Sequence, residues 1–144
     1  MNKFIKAIAA TALLSAAACS DVPMAIKASD ICNKENKDVL VTTEGVIQLP
    51  DSFYTTGGSI TMAFEAPAGK YRIPALHIYT ANKSGEKKNM MEPLNEGFTE
   101  ADVKIYDDKG GMIKLGDKIR VTGEVWGGSK EWCEISVEKI EKIN

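Results

Sequence analysis

The sequence predicts an all-β protein: a small closed antiparallel barrel of five to seven strands, with a short N-terminal helix and one long loop. Three observations predict it. Short runs alternate apolar and polar residues with a period of two, as in "VLVTTEGVI" and "DKIRVTGEVW". β-branched residues dominate those runs. Glycines stand inside two of them, Gly45 and Gly123, where a short sheet must coil sharply to close on itself.

The chain has 144 residues, 44% of them hydrophobic and 26% charged. That is enough for one domain with one core, and the composition is that of a globular protein rather than a disordered segment. No apolar run reaches the ~18 residues a membrane-spanning helix needs.

The first residues are expected to lie outside the fold. "MNKFIKAIAATALLSAAAC" places Lys3 and Lys6 first, then an apolar run over residues 7–14, then small residues. That order is a secretory signal: a positive region, an apolar region, a cleavage site. "ALLSAAACS" resembles the lipobox of bacterial lipoproteins, with Ala16 where that family usually has leucine. The resemblance implies that Cys19 is lipidated and becomes the first residue of the mature chain. The alternative is simple cleavage near Ala18, which leaves a soluble periplasmic protein.

Three cysteines are present: Cys19, Cys32 and Cys133. An odd count in an exported chain asks for a reason. Lipidation of Cys19 leaves two, and an oxidising compartment lets Cys32 and Cys133 pair; otherwise they remain two separate buried thiols. The formal net charge is −2. Removing residues 1–18 takes away Lys3 and Lys6 and no acid, so it falls to −4.

The elements follow in order. "SDVPMA" reads as an extended tether, with Pro23 keeping it out of a helix. Ser29 is expected to cap a short helix, with Asp30 in its first turn. In "DVLVTTEGVIQL", Val39, Val41, Thr43, Gly45 and Ile47 share one face. In "SITMAFEA", Ile60, Met62 and Phe64 point inward. "PAGK" reads as a turn. "YRIPALHIYT" is the next strand, and Pro74 within it argues for an edge or a bulge.

Residues 82–102 have few large apolar side chains and are expected to form a long surface loop, with one helical turn near Thr99 to Asp102. "VKIYDDKGGMIKL" reads as a hairpin. Ile119, Val121, Gly123 and Val125 share the inner face of the following strand. In the last strand the apolar spacing slips from Ile135 and Val137 to Ile140 and Ile143, which predicts a bulge.

"LGDKIRVTGEVWGG" followed by "WCEISVEKIEKI" resembles the closing half of bacterial OB-fold proteins, and "VLVTTEGVI" resembles their first strand. The families meant are small exported OB-fold proteins and OB-fold lipoprotein domains that are like tRNA-anticodon-binding modules. The resemblance spans about residues 39–143 and implies an OB-like barrel. It carries no catalytic residue over. The chain then divides into a signal peptide over 1–18, a lipidated tether over 19–27 and an OB-like barrel domain over 28–144.

Nucleic acid would need a basic groove with aromatics for stacking. Lys118, Arg120, Trp126, Lys130 and Trp132 offer a small patch, but Glu124, Glu131 and Glu134 interleave with it. No nucleic acid is expected, and Trp126 and Trp132 are expected to pack across the last hairpin. His77 is the only histidine and is expected as a surface or barrel-lining side chain. Cys32, Cys133 and His77 match no zinc spacing. Met90 and Met91 are expected as a flexible apolar cap rather than a copper site. Asp107 and Asp108 suit a turn better than a calcium site. No serine–histidine–acid or phosphate-loop pattern is present.

The expectation is therefore a non-enzymatic envelope lipoprotein with no cofactor and no metal. It would be a binding module anchored to the membrane through Cys19, presenting loops to another envelope protein or a small ligand. The expected contact surface is Tyr79, Met90, Met91, Phe98 and Trp126. Ser20, rather than aspartate, after Cys19 favours the outer membrane. The alternative is a soluble periplasmic, stress-related solute or cation binder using acidic side chains on the barrel face.

Overall fold

The computed structural model describes residues 22–52, 55–56, 58–65, 74–129 and 131–144. The expected signal peptide, Cys19, the turn over 67–70 and Lys130 lie outside the described residues. Ten strands are described: β1 (Met24–Ala25), β2 (Leu40–Gln48), β3 (Thr55–Thr56), β4 (Ser59–Glu65), β5 (Ala75–Tyr79), β6 (Met90–Met91), β7 (Ile105–Tyr106), β8 (Met112–Ile113), β9 (Lys118–Gly127) and β10 (Cys133–Lys142).

Five of them close a barrel. The order β2-β9-β10-β5-β4 returns to β2 through the β2–β4 pairing. All of those pairings are antiparallel except β5 with β10, which run parallel. That strand order is the five-stranded OB topology. β1 adds in parallel to the first half of β2, and β3 adds to β4.

The expected inner faces are the observed ones. Val41, Ile47, Ile60, Met62, Phe64, Leu76, Ile78, Ile119, Val121, Val125, Ile135, Val137 and Ile140 are all buried in one core. Fully burying such a side chain contributes about 1.5–3 kcal/mol. The last strand does bulge: its register on β9 shifts between Val137 and Lys139, which puts Ile140 back on the inner face.

The two strand glycines are there for space. A Cβ on Gly123 would sit against the Ser136 backbone carbonyl, and one on Gly45 would sit 2.6 Å from the Phe64 ring. So Gly123 lets β9 and β10 approach closely just before the bulge, and Gly45 lets the Phe64 ring lie over β2.

Four expectations change. The N-terminal helix is not formed; two 3-10 turns, Ala28–Asp30 and Lys34–Asn36, stand in its place. Ser29 does not cap, because its hydroxyl bonds the neighbouring Asp30 carboxylate at 3.3 Å. Residues 24–26 are not a free tether: the Ile26 N–H donates to the Thr42 carbonyl at 3.0 Å. Pro74 lies in neither an edge strand nor a bulge; it is buried just ahead of β5, which sits inside the sheet between β4 and β10.

The long loop differs as well. Met90–Met91 pairs with Ile105–Tyr106, which pairs in turn with Met112–Ile113, giving a second, three-stranded sheet. The hairpin and the turn at Glu100–Asp102 form as expected, the turn closed by a reciprocal Thr99–Asp102 capping box. The small sheet is joined to the barrel at the far end of β10, where the Ile140 N–H donates to Asn89 Oδ1 at 2.8 Å.

The near end of β10 is held differently. Cys32 and Cys133 form a disulfide, with Cα atoms 5.6 Å apart and 101 residues of separation. Ile31, beside it, is fully buried in the barrel core. The two ends of β10 are thus fastened by two different segments.

Candidate binding face

The outward side chains of four barrel strands meet at His77. Register places Thr61, His77, Ser136 and Glu124 in one row across β4, β5, β10 and β9. The adjacent row is Ala63, Ala75, Glu134 and Trp126. The row floors are small residues, and the large side chains rise at His77, Tyr79 and Trp126.

The rings touch one another. His77 meets Tyr79 edge to face at 5.5 Å between centroids and Trp126 at 5.2 Å with a 50° tilt. Polar atoms surround them. His77 Nδ1 lies 3.4 Å from Ser59 Oγ and 3.9 Å from Glu134 Oε2. The Tyr79 hydroxyl is 3.3 Å from Ser136 Oγ. The His77 side chain is only 12% exposed, so it forms the floor of the group rather than its rim. Tyr79 and Trp132 are more open, at 39% and 57%.

Serine, histidine and glutamate in contact invite comparison with a nucleophilic relay. A relay needs the nucleophile on one ring nitrogen and the orienting acid on the other. Here Ser59 and Glu134 both approach Nδ1, and Ser59 is 1% exposed. The shared approach to one ring nitrogen is not the geometry of that relay.

The described charges on this face are acidic. Glu124 and Glu131 are exposed and Glu134 is half-buried. Among the described residues none of the three has a lysine or arginine within ion-pair distance. Of the basic patch read from the sequence, Lys130 lies outside the described residues, and the other two cations point elsewhere. Arg120 and Lys118 turn to Glu44 at 2.6 and 3.5 Å on another part of the barrel wall. The Arg120 hydrogen bond, then the charges of Arg120 and Lys118, hold the Glu44 carboxyl below its ordinary value.

Of the five expected surface residues, the structure brings two together. Tyr79 and Trp126 flank His77. Phe98 is half-buried and packs against the core. Met90 and Met91 are corrected outright: they are 8% and 0% exposed, and neither can present a contact surface. They lie inward because strand pairing with Ile105 and Tyr106 turns the segment over the core. The expected packing of Trp126 on Trp132 is also replaced, since Trp126 leans on His77. Cys32 and Cys133, being bonded to each other, are not zinc ligands. No group of three or more metal-binding side chains occurs among the described residues.

Sequence reasoning missed His77, Ser136 and Glu134 as a unit. Alternation did place His77 and Tyr79 on one outer face. The parallel β5–β10 pairing that brings Ser136 and Glu134 beside them has no local signature.

A concavity of about 620 Å³ lies between Ala25–Ser29, Thr42–Glu44 and Arg120. Thr43 lines it, but the Thr43 hydroxyl is buried and without a hydrogen-bond partner. Glu44 and Arg120, which also line it, are paired with each other at 2.6 Å. The ring-lined face is the stronger candidate.

No protein-family model matches the chain, nor does any curated protein sequence. Among solved structures, a putative aspartyl-tRNA synthetase from Leishmania major Friedlin is similar to it, with a TM-score of 0.48 and 15% identity. The match covers 94% of this chain and 23% of that one, so the chain spans about a quarter of its length. The OB assignment rests on the closed strand order given above.

Proposed function

We propose that this chain is a non-catalytic binding module of the bacterial cell envelope. It is held to a membrane, the outer one by preference, through lipid on Cys19, and it receives its partner on the outer β4–β5–β10–β9 face. The observation that carries the reading is the ring group of His77, Tyr79 and Trp126, positioned by four strands of a rigid barrel. OB barrels use the face of the strands corresponding to β4 and β5, with the neighbouring loops, to bind ligands. The Cys32–Cys133 pairing supports export, since disulfides persist in oxidising compartments. The shared approach of Ser59 and Glu134 to one nitrogen supports the absence of catalysis.

Two experiments test it. The mature protein from its native host should have the mass of a chain starting at an acylated Cys19; an unmodified start removes the anchor. Tyr79→Ser with Trp126→Ala should leave the fold intact and abolish cross-linked partner capture; unchanged capture sinks the binding face. A soluble periplasmic solute or cation binder is the second reading, favoured by Glu124, Glu131 and Glu134, which have no lysine or arginine partner among the described residues.

A further inference from the structure

The binding face has a chemical bias that narrows its ligand. Among outward acids on the barrel strands, Glu44 and Glu141 have cationic partners, at 2.6 Å from Arg120 and 3.0 Å from Lys139. Glu124, Glu134 and Glu138 have no lysine or arginine partner among the described residues; Glu134 has the His77 ring 3.9 Å away, and of the three Glu124 and Glu134 flank the rings. Glu131 lies in the same hairpin, next to the exposed Trp132. Aromatic faces and carboxylates both attract positive charge. The ring quadrupole acts over about 6 Å, and the carboxylates act through a Coulomb term that partial burial strengthens.

Resting on the binding-face reading, we propose that the face around His77 binds an alkylammonium group. The group would sit against Trp126 and Tyr79, with Glu134 and Glu124 as counter-charges. A metal ion is not the fit, because no three metal-binding side chains converge among the described residues. A neutral sugar would stack on the rings equally well but would draw nothing from the carboxylates. An anionic ligand, nucleic acid included, would be repelled.

The test uses the folded mature chain and follows the His77 and Trp126 side-chain NMR resonances. The probes are Nα-acetyl-lysine methylamide, its Nε-acetylated neutral counterpart, 1,4-diaminobutane and a neutral disaccharide. The charged lysine probe should bind saturably, at least tenfold tighter than its neutral counterpart, and weaken as salt rises. Glu134→Gln should weaken it about threefold to tenfold, and Trp126→Ala by a similar factor. Circular dichroism of each variant checks the fold, and Glu138→Gln, at the exposed bulge, should leave binding unchanged. Tighter binding of 1,4-diaminobutane points to a free amine as the source; tighter binding of the lysine probe points to a protein side chain. Equal binding of the charged and acetylated probes, or binding of the disaccharide alone, overturns the alkylammonium assignment and leaves the binding face standing. No resonance shift with any probe, while Tyr79→Ser with Trp126→Ala still abolishes partner capture, overturns the assignment alone. No shift together with unchanged capture overturns both.

Discussion

Trp126 and His77 meet at 5.2 Å over a strand that belongs to neither of them. Trp126 is on β9, His77 on β5, and β10 runs between. The direct partner of Trp126 is Glu134, whose own partner on β5 is Ala75, two residues before His77. The indole thus reaches diagonally over a small residue. A double-mutant cycle on His77→Ala and Trp126→Ala should return a coupling of about 0.5–1.5 kcal/mol by urea denaturation. Strict additivity would mean that the two rings do not stabilise each other.

Gly123→Ala and Gly45→Ala should differ in cost. The added methyl at Gly123 strikes backbone that cannot move without parting β9 from β10. At Gly45 it meets the Phe64 ring, which can shift. Gly123→Ala should lose about 3 kcal/mol and Gly45→Ala about 1, in the range for overpacked cores. Equal midpoints for the two variants would contradict the close approach at Gly123.

Reducing the Cys32–Cys133 bond should lower stability by about 2–4 kcal/mol, since it closes a long loop. Cys32→Ser with Cys133→Ser should show the same loss and no further response to reductant. A wild-type melting curve unmoved by reductant would show that the bond carries no stability.

Acid should loosen the small sheet. Glu92 accepts hydrogen bonds from Lys87 at 2.6 Å and from the Tyr106 hydroxyl at 2.7 Å, with Lys104 at 3.6 Å. The Lys87 bond first, then that from Tyr106, lower its pKa from 4.5 to about 2. A lowered folded value means a contribution that is complete above about 4.5 and fades as pH falls through about 2. Asp102 and Asp117 shift the same way and add to the slope. Glu92→Gln should flatten the stability profile between those two pH values; an unchanged slope would exclude Glu92 as a source.

Met91→Ala should cost about 2–5 kcal/mol, because the side chain is fully buried. Met112→Ala, half exposed, should cost less than about 0.5 kcal/mol. For the same reason, deleting residues 83–97 should unfold the protein and not merely remove a contact surface. A deletion variant with a wild-type melting curve would refute the placement of Met91.

The barrel strands were legible because alternation is local. Ile119, Val121 and Val125 declare their face within a single strand, and the slip between Val137 and Ile140 declares the bulge. Met90 and Met91 had no such context. Two adjacent apolar residues in a polar stretch show no period, and only pairing with Ile105 and Tyr106 turns them inward. The N-terminal helix failed on competition: Ile26 bonds into the sheet and the cysteine bridge holds residue 32, leaving room for 3-10 turns only. Half of the candidate face was visible, as His77 and Tyr79 alternate on one strand. The other half comes from β9 and β10, more than 40 residues later in the chain, through a pairing that no window of sequence encodes.

The Cys32–Cys133 bond also changes how the chain bears load. Tension applied between Val22 and Asn144 runs from residue 32 straight to residue 133 across the sulfurs. The intervening 101-residue separation is bypassed. Only the short arms outside that ring can be drawn out, so β2, β4, β5 and β9 stay slack while the arms peel away. An oxidised molecule under pull should lengthen by a small fraction of its contour, and a reduced one by most of it.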